Sequence, residues 1–188
     1  MNRRGVVGTF WRAAFICILW PAAVCSAEIE RVAQEEQVKA AYLYKFLGFV
    51  DWPASAFDGA QSPFVIGVSG TDALADELTP MVANRSANGR PIVARKISAG
   101  ASLAGVHVLF VGRQTPARMA SLITAARDLP ILIVTDSEEA FAIGGAINFV
   151  LVDNKVRFDV SLRANEGNGL KISSRLLGVA RRIQGAAP

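Results

Sequence analysis

Residues 144–183, GGAINFVLVDNKVRFDVSLRANEGNGLKISSRLLGVARRI, read as a strand, a tight turn, a second strand and a closing helix. In the first strand Ile147, Phe149 and Leu151 alternate with Ala146, Asn148, Val150 and Val152, so both faces are apolar enough to be covered. Asp153 and Asn154 tolerate positive φ and form a hairpin turn between two β-rich runs. The second strand then alternates strictly: Val156, Phe158 and Val160 face inward, and Lys155, Arg157 and Asp159 face outward. Beyond Gly167 and Gly169, the spacing of Ile172, Leu176, Ala180 and Ile183 predicts an amphipathic helix, capped by Ser173 or Ser174 and closed by Arg181 and Arg182.

Upstream, residues 30–50 predict a helix with the stripe Val38, Tyr42, Phe46, Phe49 and Val50, ended by Asp51, Trp52 and Pro53. FVIGVSG (64–70) is a strand that runs into a helix over 71–83, for which Thr71 is the cap. A strand follows over 90–97, and then the buried-type strand VHVLFV (106–111). Thr115 and Pro116 open the next helix. ILIV (131–134) is another buried strand, after which Asp136 and Ser137 cap a short helix with Glu139 in position for a capping box. The alternation predicts a single α/β domain: a mostly parallel sheet with helices on both faces, then a C-terminal β-hairpin plus helix.

Residues 1–27 have the form of a secretory signal peptide. Arg3, Arg4 and Arg12 precede an apolar core over 13–20, and Cys25 and Ala27 occupy the minus-three and minus-one positions of a cut after Ala27. A membrane span would want ~20 apolar residues. Cys25 as a lipid-modified residue is second to this, because Val24 is bulky for such a site. Cleavage leaves residues 28–188 as the mature, periplasmic domain, with 17 basic against 16 acidic residues. That near-neutral chain has no basic stripe for nucleic acid. Both cysteines, Cys17 and Cys25, leave with the signal, so no disulfide is expected and stability must come from packing.

The mature chain has few parts for catalysis. His107, its only histidine, lies inside VHVLFV, where a core role is favoured over that of a base. There is no cysteine nucleophile, no metal-ligand spacing and no nucleophile elbow, since GVSG lacks the second glycine in place. No catalytic residue, cofactor or metal is therefore expected. Asp136, Glu138 and Glu139 read as capping and a solvated face.

Four blocks, VKAAYLYKFLGFVDWP (38–53), VHVLFVG (106–112), GGAINFVLVDNKVRF (144–158) and GLKISSRLLGVAR (169–181), together resemble the YfiR family of periplasmic proteins. The resemblance implies a small α/β repressor, often dimeric, that binds the periplasmic sensor part of a membrane-bound diguanylate cyclase and keeps cyclic di-GMP, and hence biofilm matrix, low. The candidate partner-binding residues are Arg157 and Asp159 on the hairpin, Arg175 on the last helix, and the aromatic residues Tyr42 and Trp52. For each, a solvated face or ordinary packing is the competing reading. Many relatives carry cysteines where this chain has Gly67 and Val106, on strands expected to lie side by side, so a redox bridge cannot be carried over.

Two other classes stay open. A small-ligand sensor would bind at the carboxyl ends of the parallel strands, with Ser69, Gly70 and Asn148 as candidates near Gly112 and Asp136. For Asn148 the bland alternative is that it satisfies buried backbone groups. An accessory protein for another membrane sensor, such as a histidine kinase, is the third class.

Overall fold

The computed structural model describes residues 22–185, with side chains from Glu30 onward. The signal-peptide reading falls mostly outside the described residues. The elements are α1 (Ala22–Phe46), β1 (Val50–Asp51), β2 (Phe64–Ser69), α2 (Asp72–Val82), β3 (Ser86–Ala87), β4 (Arg90–Lys96) and β5 (Val108–Val111). They continue as α3 (Pro116–Ala126), β6 (Leu132–Thr135), α4 (Glu138–Ile143), β7 (Ile147–Val152), β8 (Lys155–Ser161), β9 (Lys171–Ile172), α5 (Ser174–Leu177) and β10 (Arg182–Gln184).

The main sheet has the order β10-β8-β7-β6-β5-β2-β4-β3. Strands β4, β2, β5, β6 and β7 run parallel, and β8 returns antiparallel to β7 across the hairpin. Alternation along each strand divides the core into two layers. Ile66, Val68, Val108, Phe110, Leu132, Val134, Ile147 and Phe149 meet Ala40, Leu43 and Phe46 of α1, Leu47 just past it, and Leu74, Leu78 and Val82 of α2. On the other face Leu109, Val111 and Ile133 meet Met119, Leu122, Ile123 and Ala126 of α3 and Ala140 of α4. The sheet is thus covered on both sides, as a parallel α/β sheet must be. Among the described residues no helix is long and apolar enough to cross a membrane.

The five parallel strands have the doubly wound order 2-1-3-4-5, with the switch between β2 and β5. There the two strand ends come close: Gly70 has φ +97°, and a Cβ on it would lie 2.9 Å from the Gly112 carbonyl carbon. The hairpin turn is as expected, with Asp153 and Asn154 at φ 49° and 57°.

Three expectations need correction. The predicted closing helix is a single turn, α5. Ile172 instead bridges to Val50 in a small second sheet, and Arg182–Gln184 form β10, parallel to β8. The reason lies in Asp159, which was expected on the outer face but is fully buried. Its carboxylate takes Arg181 Nε at 2.8 Å and Arg182 Nη2 at 2.9 Å, and this pull lays the chain end along β8. Finally, of the expected stripe Val38, Tyr42, Phe46, Phe49 and Val50, Phe46 and Val50 are buried and the other three are half-buried at its border, while the most buried line on α1 is Glu36, Lys39, Ala40, Leu43 and Phe46, continued by Leu47 just past the helix.

Candidate functional site

The polar end of that α1 face is unusual, because Lys39 is only 4% exposed. Its ammonium lies 2.7 Å from Glu35, 3.2 Å from Glu36 and 2.9 Å from Asp136. Burial alone would lower the lysine's pKa, but the Asp136 charge and the bonds to Glu35 and Asp136 outweigh it and hold the lysine protonated. Burial acts the other way on Glu36, pushing its carboxyl above the usual glutamate range in spite of Lys39.

Asp136 reaches this cluster because it follows β6 directly. The helix cap is Ser137, whose Oγ accepts from the Ala140 amide at 3.3 Å and donates to Glu139. Of the two expected caps, Ser137 serves and Asp136 does not, its Oδ2 accepting instead from Lys39. Next to it Asn148 of β7, 1% exposed, donates from Nδ2 to Glu138 Oε1 at 3.0 Å. Lys39, Glu35, Arg113, Asp136, Glu138 and Asn148 line a recess of about 470 Å³ together with Phe149, Val150, Leu151 and Val156. It lies at the carboxyl edge of the parallel sheet, where β6 ends and the hairpin begins.

A second groove adjoins the first along Glu35, Leu151 and Val156, and includes Val38, Lys155 and Arg157. Leu151 is 55% exposed and Val152 36%, so the hairpin tip presents apolar surface next to cationic side chains.

The residues singled out from sequence do not form one patch. Arg157 lies on the exposed outer side of β8, and Arg175 is exposed on α5. Asp159 is enclosed by Arg181 and Arg182. Tyr42 packs its ring against Phe46, Phe149 and Phe158, with centroids 5.5 Å from Phe158. Trp52 donates from Nε1 to the His107 carbonyl at 3.3 Å and meets Phe64 edge-on. Both aromatic residues are half-buried and pack against the edge of the core. His107 is buried, with Nδ1 accepting from the Val65 amide at 3.2 Å, and burial lowers its pKa. Ser69 and Gly70 border a recess at the β2–β5 switch with Lys96, Ser98, Gln114 and Arg118. Asn148 belongs to the other recess, so the three candidate ligand residues fall into two places.

Glu35, Glu36, Lys39 and Arg113 were not anticipated. The signal available was the helical run 36-39-40-43-46-47, which continues an apolar face into a carboxylate and a lysine. Among the described residues there is no group of three or more His, Cys, Asp and Glu placed to hold a metal ion.

The profile of the YfiR/HmsC-like proteins matches residues 36–181, which takes in the cluster around Lys39, the hairpin and Arg181. No curated protein matches the chain significantly.

Proposed function

Since the chain belongs to the YfiR/HmsC-like family, known for regulating diguanylate cyclase, we propose that it is an exported, non-catalytic regulator. It binds the periplasmic sensor part of a membrane-bound diguanylate cyclase and lowers cyclic di-GMP synthesis. The observation that carries this reading is the family match over nearly all of residues 28–188. The hairpin supports it locally: Leu151 and Val152 are exposed beside Lys155 and Arg157, on the antiparallel margin of the sheet rather than in its covered centre. Apolar contact flanked by cationic side chains suits an acidic or mixed protein surface.

No active site is needed for such regulation. A subunit that prefers one conformation of the sensor shifts the cyclase by its differential affinity for the two states, and by nothing else. The reading is tested by cellular cyclic di-GMP in a deletion strain. A rise on deletion, reversed by the intact gene and not by one lacking residues 1–27, is the expected result. Unchanged cyclic di-GMP in cells that make the protein would overturn it.

A small-ligand sensor is the second reading, and the recess around Asp136 and Asn148 favours it. The two are compatible, because a ligand there would sit one strand from Arg157 and could relieve the repression.

A further inference from the structure

At the amino ends of β2 and β5, the sheet edge opposite the Asp136 recess, His107 sits beneath the connection from β1 to β2. Its ring is 2% exposed, and Nδ1 accepts from the Val65 amide. An imidazole that accepts at Nδ1 is neutral and carries its proton on Nε2, which has no hydrogen-bond partner among the described residues. The backbone holds the residue in place: His107 N donates to Val65 O at 2.9 Å, and its carbonyl accepts from Leu132 N at 2.8 Å.

The connection, residues 53–63, lies over the ring as a strap whose only regular structure is one 3-10 turn, Ala54–Ala56. Phe57 stacks on His107 with ring centroids 4.5 Å apart, and Phe64 and Trp52 meet the imidazole edge-on at 5.1 and 6.4 Å. Arg90 of β4 fastens the strap. Its Nη1 donates to the Gly59 and Ser62 carbonyls at 2.7 and 3.0 Å, and its guanidinium carbon lies 3.8 Å from the Phe57 ring centroid.

A proton on the ring upsets this arrangement. Nδ1 becomes a donor facing the Val65 N–H, so that bond is lost and both groups are left unpaired in the interior. The new charge is buried, and it rests against the same aromatic ring as Arg90. The charged groups that face His107 are Arg90 on β4 and Asp58 on the strap. Burial is the largest influence and lowers the histidine's pKa, with Arg90 acting in the same sense; the Ala56 and Gly105 carbonyls and Asp58 oppose it without prevailing.

We propose that the strap is a pH-sensitive cover: when His107 is protonated, residues 54–62 detach from the sheet edge and uncover Trp52 and Phe64. The strap is the part that yields, because it is held by short turn bonds and by Arg90, whereas the His107 backbone is tied to β2 and to the start of β6. Once open, water reaches the ring, and its charge no longer has to be buried. The device stands whether or not the chain regulates a cyclase.

The test is hydrogen exchange in the purified chain at pH 7.5 and 5.5, corrected for the intrinsic pH dependence of exchange. His107 is the single histidine of the chain, so no other imidazole contributes. Protection of the Phe57 and Val65 amides and of the Trp52 indole N–H should fall by up to about tenfold per pH unit below ~6.5, while Leu109 and Ile133 keep theirs. Glu36 titrates with the opposite sign and on α1, so it does not mimic the effect. His107→Asn offers the Val65 amide an Oδ1 acceptor that cannot be charged, and should make protection independent of pH across this range. Should that variant fold poorly, the unaltered protein gives the second measurement: the Phe57 and Ser62 amide shifts should titrate with the same midpoint as the His107 ring resonances. Protection that ignores pH, an equal loss in β5 and β6, a pH dependence that survives in His107→Asn, or strap shifts with a different midpoint would each overturn the switch.

Discussion

Glu36 makes stability depend on pH in a direction opposite to that of most acidic residues. Burial raises its carboxyl pKa above the ordinary range, so the folded chain holds that proton more tightly than the unfolded one. Between the ordinary glutamate range and the raised value, this residue's contribution therefore falls as pH rises. Above the raised value the full penalty of a buried carboxylate remains. Glu36→Gln should match the parent's urea midpoint near pH 4 and exceed it at pH 7; an equal loss at both would show the carboxylate to be net stabilising. Lys39→Ala should behave conversely, costing about 3–5 kcal/mol at pH 7 because it leaves three carboxylates facing one another. That cost should shrink in acid, as read from the same denaturation series.

Gly67 offers a second residue-level test. Its strand does lie beside β5, and a Cβ on it would be 3.4 Å from Val106 Cγ1, so Gly67 and Val106 are neighbours here. The same Cβ would lie 2.8 Å from Ile97 Cγ1, since Ile97 occupies the space beside the glycine. Gly67→Ala should cost about 1–3 kcal/mol by overpacking. Combined with Ile97→Ala it should cost less than the sum of the two changes, and strict additivity of the denaturation midpoints would show that the two sites do not meet.

At the scale of elements, the chain end depends on one carboxylate. Replacing Asp159 with Asn removes the charge that Arg181 and Arg182 share and should cost about 2 kcal/mol. The Arg182–Gln184 amides should lose hydrogen-exchange protection first, while those of β5 and β6 keep theirs. If β10 stays protected, backbone pairing with β8 suffices to hold it. This element was also the least legible in the sequence. Ile172, Leu176, Ala180 and Ile183 do have helical spacing, yet spacing does not require a helix: Leu176 is buried and Ile172 and Ala180 pack against the core from a strand, a single turn and the chain after it. The central strands were readable because runs such as VHVLFV and ILIV have one plausible home, between two helical layers. The hairpin was readable because Asp153 and Asn154 fix its turn. The recess was not, since its parts come from α1, the β5–α3 connection, the start of α4 and β7, and no local pattern joins them.

For the whole molecule, the hairpin margin is the surface on which regulation should depend. Arg157 is exposed on β8 and forms no ion pair among the described residues, so Arg157→Glu should leave the melting temperature within about 2 °C, as surface changes of under ~0.5 kcal/mol do. It should nevertheless weaken repression, read as raised cyclic di-GMP at equal protein level. Full repression by a well-made variant would place the partner surface elsewhere.

The bond between Lys39 and Asp136 joins residues 97 positions apart. During synthesis α1 emerges long before Asp136, and until β6 is made the lysine on its apolar face has only Glu35 and Glu36 of the same helix as partners, which makes its burial costly. Early docking of the first helix is thereby discouraged, and closing so long a loop slows the final assembly. On the exported-regulator reading proposed above, that delay would serve a chain that crosses a membrane unfolded, by keeping the amino-terminal helix free until most of the sheet has been synthesised.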